Sequence, residues 1–409
     1  MRQKKSGKKN IGPPCIRRTR CKAISSRARA ARSRVRPIKS PPSLKIRSIK
    51  ISMTSALSKY AFINAKLRAR ISKNLPDDRI DEMIKAKSLL ESIEHLKDTP
   101  FDVIYSVYSE TGDIRTAEKE LLKKEIALFI ELLKYVDART GEYIQALALR
   151  YEVSNLKNCI RLFFDRTLRG RDISLQTPYL IHEKIVNNYS CDRIIHANSP
   201  EELVESLQDT PYYDVVKSTA DELKETSTVF PIEIALDRFY YDNLFSRLSA
   251  CLTSRDKDIA LQVFHLDVDV ENIDRMMRFK HFYAMEAEKA FRYIIPYGVV
   301  HVNMEHFRRM YENEDISGII EALMEKSDAS LKTLFKADVR ERYARLSFIE
   351  KIAEHILLYE ARKILFGPPF TIGIILAYFI LKQDEIKKIM TILNAKNYNY
   401  QPERISGLL

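Results

Sequence analysis

The chain has 409 residues, of which 45% are hydrophobic, so it is long enough to bury a sizeable core in two or three domains. It contains only 10 glycines and no tryptophan, a composition that favours long helices and leaves little material for glycine-rich phosphate loops. The net charge of +13 comes from residues 1–50, which hold 18 basic and no acidic residues, while the remainder has 50 basic and 55 acidic residues.

Residues 1–52 are rich in Lys, Arg, Ser and Pro and show almost no hydrophobic periodicity. This composition cannot bury a core and predicts a disordered basic tail. The tail fits binding to phosphate backbones or acidic lipid, an organellar transit peptide, or a mis-assigned start with translation beginning at Met53. All three hypotheses stay open, and we base no function on the tail.

From Tyr60 onward the pattern is helical nearly throughout. A short stretch, Val299–Val302, is a weak strand candidate. The longest uncharged run, Ile364–Leu381, is interrupted by Gly367-Pro368-Pro369. The part after the prolines would make a helix of roughly 18 Å, short of the ~30 Å of a bilayer core, so we predict a buried helix there.

An internal repeat is the most informative feature of the body. Leu96-Lys97-Asp98-Thr99-Pro100-Phe101 returns 111 residues later as Leu207-Gln208-Asp209-Thr210-Pro211-Tyr212. A degenerate third copy, without the proline, spans Ile320–Asp328. Because a residue before proline is pushed out of helical geometry, we expect one helix to end and another to begin at each Asp-Thr-Pro step.

A second repeat heads three amphipathic segments, at Asn155-Leu156-Lys157, Asn272-Ile273-Asp274 and Glu385-Ile386-Lys387, with offsets of 117 and 113 residues. Together the repeats predict an all-α protein of three related helical domains, at 53–165, 166–282 and 283–409. Three units of one design fit a pseudo-threefold arrangement, although periodicity alone does not show closure.

Motifs for chemistry are missing from the chain. There is no phosphate-binding glycine loop, no nucleophile elbow and no zinc-binding His pair, and the eight histidines and five cysteines are dispersed. We therefore predict no catalytic residues, no metal site and no cofactor. Reduced thiols in a cytosol-facing protein are the simplest interpretation of the cysteines.

Several elements resemble one known family. The opening Lys59–Ala69, the run Leu149–Lys157, the element Leu236–Tyr241 and the helix Phe379–Ile389 are similar, in this order, to the C subunit of bacterial and archaeal V-type ATPases, called the d subunit in vacuolar enzymes. The resemblance covers about residues 58–396. It departs from the family's pattern at Tyr151, where Trp is frequent, and in the basic tail, which has no counterpart.

The resemblance implies a funnel of three helical domains that is not an enzyme. Such a protein seats the central stalk on the membrane proteolipid ring at the cytoplasmic face and transmits torque, without binding nucleotide. Equivalent positions in the repeats are our candidate interface residues: Glu152, Asn155, Lys157, Asn272, Asp274, Glu385 and Lys387. Helix caps and hydrogen bonds between units would explain the same residues equally well.

Two other hypotheses remain. A helical scaffold could bind nucleic acid through its basic tail, and this binding would be steeply salt-dependent and lost on removal of residues 1–52. The mildly acidic body argues against nucleic acid as the main partner. An enzyme whose site is assembled from unrelated positions would show turnover or a tightly bound small molecule.

Overall fold

Helices make up every regular element that the computed structural model describes, which covers residues 44–226, 228–313, 318 and 346–409. The predicted all-α class is therefore confirmed for these residues. The α-helices are α1 (Leu44–Ile71), α2 (Asp77–Lys85), α3 (Leu89–Glu94), α4 (Asp102–Thr111), α5 (Ile114–Leu132), α6 (Ala138–Thr167), α7 (Cys191–Ile195), α8 (Pro200–Glu205), α9 (Tyr213–Thr226), α10 (Phe230–Cys251), α11 (Ser254–His281), α12 (Ala287–Arg292), α13 (Gly298–Val302), α14 (Met304–Glu312), α15 (Leu346–Phe366), α16 (Gly373–Asn397) and α17 (Pro402–Leu408). Short 3-10 helices occupy Leu133–Tyr135 and Thr177–Tyr179.

The repeated segments begin their helices in the same way. Ser88 accepts a hydrogen bond from the backbone of Glu91, whose carboxylate accepts one from the backbone N–H of Lys87. Ser199 and Glu202 do the same at the start of α8, where Glu202 accepts from the N–H of Asn198. These reciprocal capping boxes satisfy the N–H groups that a helix start leaves without partners.

The Asp-Thr-Pro steps also share one geometry. The Thr99 hydroxyl donates to the carbonyl of Leu96 and accepts from the N–H of Phe101, at 2.6 and 3.1 Å. Thr210 makes the same two bonds, to Leu207 and Tyr212, at 2.7 and 3.2 Å. Each step separates two helices, as predicted, and each leaves one aromatic ring, Phe101 or Tyr212, fully buried.

Three long helices, α6, α11 and α16, carry the second repeat and supply much of the core. Just over half of the residues of α6 are buried. The first nine residues of α16 are also buried, and they form the end of the uncharged run Ile364–Leu381, so this end is a core helix as predicted. Among the described residues, no helix combines the length and apolar character needed to cross a bilayer. The prediction that Ile364–Leu381 does not span a membrane agrees with this finding.

Helix α16 packs against the N-terminal part of the body. Leu75 donates its N–H to Glu385 at 2.6 Å, and Lys396 donates to the carbonyl of Ala86 at 2.5 Å. A shared apolar cluster joins α16 to α2, α3 and α4, through residues that include Met83, Ile93, Leu96, Phe101, Ile104, Ile389 and Leu393. Residues 49–409 form one compact unit, in which α2, α3 and α4 share a core with α16.

The strand suggested at Val299–Val302 was wrong, because these residues lie in α13. Gly298 has a positive φ of 79°, and a Cβ at this position would lie 2.3 Å from Oδ1 of Asp269. That oxygen accepts the N–H of Val300 at 2.9 Å, so a buried carboxylate starts a helical turn that local hydrophobicity does not reveal. The degenerate repeat copy Ile320–Asp328 and residues 1–43 of the basic tail lie outside the described residues.

Candidate functional site

The three long helices enclose a cavity of about 1290 Å³. It is lined by successive turns of α6, α11 and α16, completed by α5, α15 and the segment around Tyr179. The lining residues of α16 extend from Phe379 to Tyr398, just past its C-terminal end. The first ten residues of α16 are buried, and among them only Phe379 and Ile380 line the cavity.

Equivalent helix positions bring different side chains to the cavity wall. Arg150, Asp267 and Ile380 each lie five residues before the buried polar position of their helix. The guanidinium of Arg150 lies 3.4 Å from the Asp267 carboxylate, which also accepts the hydroxyl of Tyr241 at 2.8 Å. The three helices therefore share a backbone pattern but present a polar, asymmetric wall.

A chain of charges connects α6, α10 and α11 beside this wall. Lys157 lies 2.7 Å from Asp237, which also lies 2.9 Å from Arg275. Arg275 binds Glu271 at 2.9 Å. Burial opposes the charged carboxyl of Glu271, but the Arg275 guanidinium holds the pKa of Glu271 below its ordinary value. Breaking one member would leave a buried charge without compensation, so the network favours one fixed packing of these helices.

Glu152 is fully buried and surrounded by donors. It accepts the backbone N–H groups of Val186 and Asn187 at 2.6 and 2.8 Å, and the hydroxyl of Tyr212 at 2.6 Å. The side-chain amide of Asn187 adds a fourth bond at 2.8 Å. These contacts attach α6 to the segment that carries the second copy of the Asp-Thr-Pro repeat.

Asn155 and Asn272 are also buried, and each pairs with the backbone of a single isoleucine. Asn155 binds both the N–H and the carbonyl of Ile181, at 2.9 and 2.8 Å. Asn272 binds the N–H and carbonyl of Ile295 at 2.8 and 3.0 Å. A second contact repeats beside each asparagine. Glu152, three residues before Asn155, accepts the N–H of Val186, five residues after Ile181. Asp269 stands in the same relation to Asn272 and accepts the N–H of Val300, five residues after Ile295.

Glu385 takes the equivalent place on α16. It accepts the N–H of Leu75 at 2.6 Å and lies 3.1 Å from Lys382, three positions earlier. Burial raises the pKa of Glu385 above its ordinary value, against the effect of Lys382. Lys382 lies 3.8 Å from the ring centre of Phe101, whose repeat counterpart Tyr212 contacts Glu152. The contact between the Lys382 cation and the Phe101 ring in the first repeat copy thus corresponds to the hydrogen bond between Glu152 and the Tyr212 hydroxyl in the second copy.

The remaining three candidates make ion pairs. Lys157 pairs with Asp237, Asp274 lies 2.8 Å from Arg278, and Lys387 pairs with Glu354. Lys387 is exposed and lines the cavity. The structure therefore distributes the seven candidates among separate contacts: four are buried against backbone of the same chain, and Lys387 faces the open space.

Sequence reasoning missed Arg150 and Asp267, which line the cavity, and Tyr241, which donates a hydrogen bond to Asp267. The first two were within reach, because they stand at the same 117-residue offset as Asn155 and Asn272. The ion pair between Arg150 and Asp267 could not be predicted, since helical periodicity does not say which helices are neighbours. Among the described residues there is no group of three or more His, Cys, Asp or Glu side chains placed to hold a metal ion.

Comparison with known proteins gives a consistent result. A family model described as ATP synthase (C/AC39) subunit matches residues 63–408. The C subunit of the A-type ATP synthase of Methanocaldococcus jannaschii is 24% identical over 364 residues, covering 87% of this chain and 88% of that protein. The corresponding C subunit of Methanothermobacter thermautotrophicus is 24% identical over 345 residues, covering 84% and 86%. The resemblance inferred from the motifs is confirmed, and the chain belongs to the ATP synthase (C/AC39) subunit family.

Proposed function

We propose that this protein is a non-catalytic coupling subunit of a rotary V-type ATPase. In this role it links the central stalk to the membrane proteolipid ring, at the cytoplasmic face, and transmits torque for ion transport. The relatives named as C subunits of A-type ATP synthases support membership in such a complex. The comparisons lend no support to a nucleic-acid scaffold.

The central cavity is the observation that carries the proposal. Its volume of about 1290 Å³ exceeds a typical small-molecule site of roughly 300–1,000 Å³, and its wall mixes charged residues with apolar anchors. A wall of this kind suits the end of a protein shaft, because protein interfaces combine apolar anchors with polar contacts that fix the register. Asymmetric side chains such as Arg150 and Asp267 would let the shaft bind in one orientation.

Torque transmission requires stiffness, and the recurrent buried contacts would supply it. Glu152, Asn155, Asn272 and Glu385 each bind backbone of another segment, so the long helices cannot slide without leaving buried polar groups unpaired. We propose three helical units, at 53–165, 166–282 and 283–409, in a pseudo-threefold funnel. The three equivalent polar positions on α6, α11 and α16 support this arrangement.

The proposal predicts a defined set of companions. A C-terminally tagged chain, purified from membranes in mild detergent, should recover proteolipid, stalk subunits and the ATPase hexamer together, identified by mass spectrometry. The N-terminal peptide in the same spectra would show whether residues 1–52 are part of the protein. Recovery of the chain alone, or with nucleic acid, would contradict the coupling role.

A further inference from the structure

Helix α1 brings together the starts of the three long helices. Lys59 lies 2.9 Å from Asp137, the N-cap residue of α6. Tyr60 donates a hydrogen bond at 2.7 Å to Asp256, in the first turn of α11, and Asp256 accepts the N–H of Ile372, before α16, at 2.9 Å. Three helix N-termini, each with a partial positive charge, therefore meet at one end of the molecule.

Basic side chains dominate the surface at this end. We define the α1 face as residues 56–73, 134–139 and 365–370. Together these ranges contain seven basic residues and one acidic residue, Asp137, which is paired with Lys59. Glu131, just outside these ranges, is paired with Lys66. Arg68, Lys73 and Lys134 are exposed. Even with Glu131 included, the α1 face has more basic than acidic residues, although the body as a whole is mildly acidic.

Exposed aromatic rings accompany these cations. Phe366, the last residue of α15, is 93% exposed and precedes a turn restricted by Pro368 and Pro369. Arg68 donates a hydrogen bond to the carbonyl of Leu365 at 2.6 Å. Earlier in α1, Phe62 is 54% exposed and contacts the ring of Tyr135, with 4.4 Å between ring centres. Aromatic rings beside Lys and Arg are typical of surfaces that meet a membrane at the level of the headgroups.

Phe366 and the cavity-lining residue Tyr398 lie at opposite ends of α16. Phe366 precedes that helix, whereas Tyr398, which lines the cavity, follows its last residue. A helix of 25 residues is about 37 Å long. A partner in the cavity and a surface under the α1 face would therefore not compete for space.

We propose that the α1 face rests on anionic phospholipid headgroups, with the Phe366 and Phe62 rings reaching into the membrane interface. The inference rests on the proposed function, which puts a membrane next to this protein, and adds a direct lipid contact to it. Charge complementarity selects the occupant, because a broad surplus of positive charge with protruding rings suits a continuous anionic surface.

The absence of tryptophan from the sequence allows a direct test. Full-length Phe366→Trp and Phe62→Trp each carry one fluorophore on the α1 face. Tyr398→Trp is the matched control, since Tyr398 is also an exposed aromatic residue but lies at the far end of α16. Each variant is mixed with vesicles of phosphatidylglycerol and phosphatidylcholine in equal parts, with acyl chains brominated or not, and folding is verified by circular dichroism.

Bromine quenches only nearby indole rings, so the result does not depend on how the protein reaches the vesicle. We expect the emission of the Phe366→Trp and Phe62→Trp variants to fall about twofold on brominated anionic vesicles and to stay unchanged on phosphatidylcholine alone. Tyr398→Trp should be unaffected. Equal quenching at all positions, quenching at none while the basic tail holds the protein on the vesicles, or no binding would each overturn the proposal.

The quenching experiment and the co-purification experiment can fail independently of each other. Recovery of the ring and stalk with the tagged chain, but no selective quenching, would leave the coupling role intact and remove the lipid contact. Selective quenching without those companions would show a lipid-binding protein that is not part of the rotor.

Discussion

Asn155 and Asn272 make the same pair of hydrogen bonds, 117 residues apart, to the backbone N–H and carbonyl of Ile181 and of Ile295. Each amide acts as a substitute for a strand neighbour, satisfying both polar groups of a residue that lies in irregular, buried chain. The repetition shows that the Asn of the sequence motif holds a passing segment against its helix.

Replacing Asn272 by leucine should therefore be costly. The buried N–H of Ile295 would lose its partner, while its carbonyl would keep only the N–H of Tyr297, so we expect the free energy of unfolding to fall by about 1–3 kcal/mol. Urea unfolding followed by circular dichroism measures this change. Asn158→Leu is the control, because Asn158 is exposed on α6, and should stay within about 0.5 kcal/mol. Equal losses in the two variants would contradict the assigned role.

Glu152→Gln tests the requirement for a carboxylate. Four donors point at Glu152, and an amide would turn its own NH₂ group toward at least one of them. We expect a loss of about 2–4 kcal/mol in the free energy of unfolding. Glu205→Gln, at an exposed position of α8, should change it by less than about 0.5 kcal/mol. A neutral Glu152→Gln would contradict the need for a carboxylate at this position.

Lys382 and Glu385 should behave as a coupled pair. Lys382→Leu leaves the Glu385 carboxylate buried without its cation and should cost about 3–5 kcal/mol. Adding Glu385→Gln removes that charge and keeps an oxygen for the N–H of Leu75, so the double variant should be more stable than Lys382→Leu alone. A double-mutant cycle by urea unfolding measures the coupling, and simple additivity would show that the two side chains act independently.

Alkaline pH should destabilise the fold through its buried tyrosines. Burial, reinforced by a neighbouring carboxylate, raises the pKa of Tyr60 and Tyr212 well above the ordinary value near 10. Below pH ~10 both the folded and unfolded states keep the phenol proton, so stability is unaffected. Above it, the unfolded chain loses protons that the folded chain retains, and the free energy of unfolding falls by about 1.4 kcal/mol per pH unit for each tyrosine.

Tyr212→Phe removes one of these groups and should flatten the decline between pH ~10 and ~11.5 by about 1.4 kcal/mol per pH unit, although it starts from a less stable protein. Tyr398→Phe, at an exposed position, should leave the slope as it is. Urea unfolding at a series of pH values gives the slopes, and parallel lines for all three proteins would argue against the raised pKa of Tyr212.

Filling the cavity should interfere with the proposed shaft contact. Thr391 lines the cavity, and Thr391→Trp would place a large ring in it. We expect recovery of stalk subunits with the tagged chain to drop about tenfold, because a misfit at the centre of an interface is costly, while the ring still co-purifies. Ser218→Trp, exposed on α9 and outside the cavity lining, should recover both. Normal stalk recovery with Thr391→Trp would place the stalk elsewhere.

Much of the local structure could be predicted from the sequence. Few glycines and apolar residues at helical spacing indicated an all-α chain, and the Asp-Thr-Pro repeat indicated where helices end, because proline acts on its immediate neighbours. At Val299–Val302 the local pattern predicted a strand, which was wrong because a contact with the distant Asp269 decides the conformation there. The motif that gave Asn155 and Asn272 did not distinguish an interface from an internal hydrogen bond, since both favour a polar side chain at such a position.

By itself, then, the sequence determined the helices, the repeat and the family, since all three depend on residue order along short stretches. Only the tertiary structure decided that the segment from Leu75 to Phe101 packs against α16, that Arg150 meets Asp267, and that three helix starts converge under α1. Helical periodicity records which face of a helix is apolar and carries no information about the partner across it. Those partners are selected by packing and by the pairing of buried charges across hundreds of residues.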